Sequence, residues 1–137
     1  MTQHTDLGWL LADLAKVPGV DFGLLVSSDG MLQAHTGELD RDQAEKLAAV
    51  AATLRGASRA YAQETEGQGV RQVLIEADRH ITLITQAGKH SMLVVKTDGP
   101  NADIGLVSEA AHSLASRVGR ELDVDARAAG GAEVPRA

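Results

Sequence analysis

The sequence predicts a mixed α/β (α+β) domain built on a single five-stranded antiparallel sheet with helices on both faces. Apolar residues recur at helical spacing in three separate stretches, and runs rich in Val, Ile and Leu lie between them. Two-residue turns join consecutive strand candidates closely enough to require antiparallel pairing. The later strand candidates are apolar on both faces, so helices are expected to cover both sides of the sheet. At 137 residues the chain has the size of one domain.

The first helix is predicted from Asp6 to Val17, where Leu7, Leu10, Leu11, Leu14 and Val17 keep helical spacing. Thr5 or Asp6 is available as its N-cap, and Pro18-Gly19 ends it. Val20 to Ser27 reads as a strand, Asp29-Gly30 as a tight turn, and Met31 to His35 as the returning strand of a hairpin. Asp40 opens a long helix, with Gln43 as its capping-box partner, that continues to about Gln63. Beyond the Gly67-Gln68-Gly69 break come three strands, Val70 to Ala77, His80 to Ala87 and Ser91 to Lys96, which form a meander. Ile104, Val107, Ala110, Ala111, Leu114 and Val118 then mark a last amphipathic helix that ends near Leu122. The division expected is a domain over residues 1–122 and a flexible C-terminal tail over 123–137, where Ala128-Ala129-Gly130-Gly131 and Pro135 fall.

Composition narrows the function classes. With 44% hydrophobic residues but one Trp, one Tyr and one Phe, the core is aliphatic and few rings are available to stack on bases or sugars. A net charge of -6 repels a phosphate backbone, so nucleic acid is disfavoured as a partner. The absence of cysteine excludes disulfides and thiolate metal sites and fits a reducing compartment. Met1 is followed by Thr-Gln-His-Thr-Asp without a basic n-region, and no apolar run reaches the ~20 residues of a membrane span. A cytoplasmic location is the expectation.

The motifs that would carry catalysis or cofactors are missing from the sequence. Gly88-Lys89 lacks the upstream glycine and following Ser/Thr of a phosphate loop and reads as a hairpin turn. The five histidines, His4, His35, His80, His90 and His112, show no metal-ligand spacing. No serine stands in a GxSxG elbow, and His90-Ser91 at a strand start sends its two side chains to opposite faces. Glu76 and Asp78 sit where strand ends and turns carry solvated carboxylates. The expectation is a non-enzyme with no catalytic, cofactor-binding or metal residues.

The long helix carries the feature that asks for a partner. Winding it at about 100° per residue puts Ala44, Leu47, Ala51, Leu54, Ser58 and Tyr61 on the face expected against the sheet. The opposite face shows Ala49, Ala52, Gly56 and Ala60, flanked by Glu45, Arg59 and Gln63, where an ordinary exposed helix carries mostly Lys, Glu and Gln. Alanine needs no special reason, because it is the best helix former. A mid-helix glycine costs about 1 kcal/mol relative to alanine, so Gly56 points to close contact with another chain. These seven residues are the candidate partner and dimer interface.

Several strings together resemble the roadblock/LC7 family, in particular its bacterial members that accompany small Ras-like GTPases. They are Leu10-Leu11-Ala12-Asp13-Leu14 with Val17-Pro18-Gly19-Val20, Leu25-Val26-Ser27-Ser28-Asp29-Gly30, and Leu39-Asp40-Arg41 before the Ala-rich helix. Val73-Leu74-Ile75-Glu76, Ile81-Thr82-Leu83-Ile84 and Leu93-Val94-Val95 resemble that family's meander, so the likeness covers about Asp6 to Leu122. Within the family the chain is most similar to the actinobacterial conservon subgroup. The resemblance implies a profilin-like fold, a homodimer with a sheet continuous across both subunits, and two long helices paired on one side. It further implies a non-catalytic adaptor in signal transduction that binds a small Ras-like GTPase on that paired-helix surface, with a sensor kinase-like protein as a further partner. Glu45, Ala49, Ala52, Gly56, Arg59, Ala60 and Gln63 would then pack and steer charge. Arg55 and Arg59 fit the part of arginine fingers poorly, since a mid-helix arginine is held back by its own backbone.

Two other readings stay open on the residues. One is a profilin- or PAS-like sensory domain that binds a small ligand in its core, for which Thr82 and Thr85 are the polar candidates. The other is an enzyme whose site gathers His80, His90 and Glu76 from separate segments.

Overall fold

A computed structural model of the chain describes the backbone of residues 7–133 and side chains as far as Asp123. Its elements follow the order α1 (Gly8–Ala15), β1 (Val20–Ser27), β2 (Leu32–His35), α2 (Arg41–Glu64), β3 (Gln72–Glu76), β4 (Ile81–Gln86), β5 (Ser91–Thr97) and α3 (Ile104–Glu133). The five strands form one sheet in the order β2-β1-β5-β4-β3, every neighbouring pair antiparallel. β2 and β3 are therefore its two edges.

Alternation along the strands divides the apolar residues between two cores. Leu25, Leu83, Leu93 and Val95 join Leu10, Leu11 and Leu14 of α1 and Val107, Leu114 and Val118 of α3 on one face. Phe22, Leu24, Val26, Ile84, Met92 and Val94 face α2 on the other. Both faces of the sheet are covered, as the doubly apolar strands predicted.

The local signals that place these elements act partly as expected. Asp40 caps α2, its Oδ1 accepting from the Gln43 backbone N–H at 2.8 Å. α1 instead starts from Leu7 without a side-chain cap, and Thr5 and Asp6, the caps offered by the sequence, lie outside the described residues. The last helix was expected to end near Leu122, yet its backbone continues to Glu133. Helix-favouring alanines span that stretch, and Gly130-Gly131 do not interrupt it. Residues 134–137 lie outside the described residues.

Candidate interaction surface

α2 meets the sheet through small residues. Ala44, Ala48 and Ala51 are buried with Arg55, so the helix lies close to β1 and β2. Ala44 and Ala51 were expected there, and Leu47 packs half-buried beside them, but Ala48 and Arg55 take the places expected of Leu54 and Tyr61. Leu54 and Tyr61, predicted to face the sheet, are 37% and 72% exposed, and Val50 between them is 54% exposed. The helix is thus rotated about its axis, and its bulky apolar flank turns toward the β3 side of the sheet.

That rotation opens a groove of about 330 Å³ between α2 and the sheet. Leu47, Val50 and Leu54 form its helical wall, and Ile75, Thr82, Ile84 and Val94 its floor. Lys96 stands at its rim, its Nζ 2.7 Å from Asp21 Oδ2 and 5.6 Å from the centre of the Phe22 ring. His80 also lines the groove, and its Nδ1 is buried without a hydrogen-bond partner. β3 borders this region as a free sheet edge and exposes Leu74.

The seven residues singled out from the sequence lie along the other flank of α2. Glu45, Ala49, Gly56, Arg59, Ala60 and Gln63 are exposed, while Ala52 is half-buried and packs against the core on this face. Glu45 accepts from Arg41 Nε at 3.0 Å, an exposed pair one turn apart. Ala49 and Ala52 have a reason for their small size within the chain. The β1–β2 turn lies against them, so that a Cβ on Gly30 would stand 3.4 Å from Ala52 Cβ and 3.7 Å from Ala49 Cα. Gly56 has no such reason, since a Cβ there would meet nothing within 4 Å.

Sequence reasoning missed Val50, Leu54 and Tyr61 as surface residues, and it missed the buried Arg55. At 8% exposure, Arg55 is the buried cation among the described residues. Desolvation, and then the positive charge of Arg59, hold its pKa below the usual guanidinium range. Placed beneath the helix, Arg55 is not available to reach into another protein's active site.

The scattered candidates for a ligand or catalytic site do not converge. Thr82 lines the α2 groove, whereas Thr85 Oγ1 donates to the Arg71 carbonyl at 3.2 Å in a cleft beside α3. His80 precedes β4 and His90 precedes β5, which puts them at opposite ends of two antiparallel neighbours. Ser91 Oγ donates to Gln33 Oε1 at 3.0 Å. Among the described residues no three His, Asp or Glu side chains are grouped to hold a metal, and no helix is long and apolar enough to cross a membrane.

A five-stranded antiparallel sheet enclosed by α2 on one face and the α1–α3 pair on the other defines the class of fold. The chain belongs to the Roadblock/LC7 domain family, whose model matches residues 7–97. A Roadblock/LC7 domain from Streptomyces avermitilis is 32% identical, with 86% of this chain and 98% of that one covered at a TM-score of 0.81. MglB of Myxococcus xanthus, at 19% identity, shares the fold with a TM-score of 0.82 over 90% of this chain and 99% of its own. The uncharacterized protein MJ0714 of Methanocaldococcus jannaschii is 32% identical over 100 residues, 72% of this chain and 80% of that protein.

Proposed function

We propose that this chain is a non-catalytic, homodimeric adaptor that regulates a small Ras-like GTPase in bacterial signalling. The observation that carries this reading is the unpartnered apolar strip of Val50, Leu54 and Tyr61 beside the α2 groove and the free β3 edge. An exposed edge strand next to exposed apolar side chains is a template for pairing with another chain. A second copy is the occupant best suited to it. A two-fold axis normal to the sheet at the β3 edge pairs β3 antiparallel with its copy and keeps both α2 helices on one face, so the bulky flank of each α2 closes over the other's groove. Membership of the Roadblock/LC7 family supports this arrangement.

Dimerisation on that flank leaves the small-residue flank outward, with Gly56, Ala60 and Gln63 offering close approach and Glu45 and Arg59 steering charge. This is where the GTPase docks, with Ala49 and Ala52 shared between the docking surface and the β1–β2 turn. With Arg55 buried and Arg59 held on the helix, the domain positions the GTPase's own catalytic groups and supplies none. The adaptor acts in the cytoplasm, and a sensor kinase-like protein is the further partner. Residues 1–122 form the docking domain, with 123–137 as an appendage to it.

Light scattering of the chain with and without a Ras-like GTPase loaded with a GTP analogue tests both contacts. The expected result is a dimer that gains mass with the loaded GTPase, and a Leu54→Asp variant that is folded but monomeric. A wild-type monomer that ignores the GTPase overturns the reading in favour of the sensory domain. A Leu54→Asp chain that remains dimeric removes the apolar flank from the interface.

A further inference from the structure

On the face of the sheet away from α2, α3 and the adjoining ends of β3 and β4 enclose an open cleft of about 610 Å³. Its walls are fixed from within. Gly119 of α3 approaches the β4–β5 turn so closely that a Cβ on it would stand 2.7 Å from the Gly88 nitrogen, and Gly88 itself holds φ +77°. Gln86 Nε2 donates to the Gly88 carbonyl at 2.8 Å, while the Thr85 hydroxyl ties the Arg71 carbonyl to the end of β4. Turn, strand end and helix are therefore held together around the opening.

The lining is cationic in a chain of net charge -6. His112, Ser116 and Arg120 succeed one another at four-residue intervals on one flank of α3, and Arg71 stands on the opposite wall. Asp123 is the single carboxylate residue of the lining among the described residues. The ion pairs among the described residues join Arg41 to Glu45, Lys96 to Asp21 and Arg117 to Asp13, so none of them engages Arg71 or Arg120. Two guanidinium groups, an imidazole and a hydroxyl offer more donors than one carboxylate can accept, and a tetrahedral phosphate matches them better. Among the described residues no Phe, Tyr or Trp lines the cleft, so none of them stacks a nucleobase.

We infer that this cleft binds a small phosphate-bearing ligand, recognised through its phosphate oxygens by Arg120 and Arg71 with His112 and Ser116 in support. The site lies across the sheet from α2 and the GTPase surface, and Arg71 adjoins the β3 edge, so the Arg71→Gln variant should also keep the wild-type dimer mass.

Isothermal titration of the full chain with sodium pyrophosphate at constant ionic strength tests the assignment, with ADP as comparator. The expected result is saturable binding at one site per chain, weakened about tenfold or more by Arg120→Gln and by Arg71→Gln. ADP is expected to bind no more tightly than pyrophosphate. Both arginines are exposed, so the variants should melt with the wild type, which a thermal scan verifies. Absence of saturable heat overturns the inference, and so does binding that ignores both substitutions. ADP binding at least about tenfold tighter than pyrophosphate would show that the base is read, which this lining does not provide for.

Discussion

Arg55 lies 8% exposed with no ion pair or hydrogen bond from its side chain among the described residues, yet none of its nitrogens is buried without a partner, so the stem is covered while the guanidinium keeps contact with water. Burial first, and then the like charge of Arg59, lower its pKa. A cation in this position is partly desolvated, and unfolding returns it fully to solvent. Replacing it by methionine keeps the length of the stem and removes the charge, so Arg55→Met is expected to stabilise the fold by about 1 kcal/mol, or ~3–5 °C in Tm. The sign of the pH dependence follows from the direction of the shift. A folded pKa below the unfolded one means that the penalty is fully present while both states are protonated and is relieved only as pH rises through the folded value. The gain from methionine should therefore shrink, and never grow, as the solution is made strongly alkaline. A lower Tm for Arg55→Met at neutral pH would show that the stem or head group makes a contact the fold needs.

At the scale of elements, α2 shows both what the sequence makes legible and where hydrophobic periodicity stops. Its existence, its Asp40 cap and its end near Gln63 follow from spacing and capping chemistry, and they agree with the observed Arg41–Glu64 helix. The strands of the meander were legible for the same reason, since tight turns at Asp78-Arg79 and Gly88-Lys89 leave little choice of pairing. The orientation of α2 was not legible, because hydrophobicity alone cannot distinguish a flank that faces the chain's own core from one that faces outward. Leu54 and Tyr61 look like core residues in the sequence, yet close approach to the sheet selects Ala44, Ala48 and Ala51. The cleft beside α3 was illegible too, since its cations come from segments that only the fold brings together. Gly56 is the position at which the two flanks can be separated by experiment. A Cβ there meets nothing within 4 Å and the change removes a mid-helix glycine, so Gly56→Leu should raise stability by about 0.5–1 kcal/mol. It should leave the dimer mass unchanged and abolish the gain in mass with the loaded GTPase. If Gly56→Leu binds the GTPase as the wild type does, the small-residue flank is not the docking surface.

At the scale of the whole molecule, the decisive feature is that one core extends beyond the segment matched by the family model. That match ends at residue 97, but Val107, Ala111, Leu114, Ala115 and Val118 of α3 are buried in the same core as Leu25, Leu93 and Val95 of the sheet. Leu122 is the last α3 residue packed against that core among those described. A chain cut after residue 97 would expose the part of that apolar sheet face that α3 covers over β4 and β5, and should aggregate or remain unfolded, because each large side chain uncovered costs ~1.5–3 kcal/mol. That loss exceeds the ~5–15 kcal/mol by which a domain is stable once several such side chains are involved. A chain cut after Leu122 keeps every α3 residue of that core among those described, together with Gly119 against Gly88. It should fold, retain the dimer mass and bind the loaded GTPase as the full chain does. Thermal melting and light scattering of the two truncations decide the matter: folding of the 1–97 chain would make α3 dispensable, and loss of the dimer in the 1–122 chain would place part of the interface in the last fifteen residues.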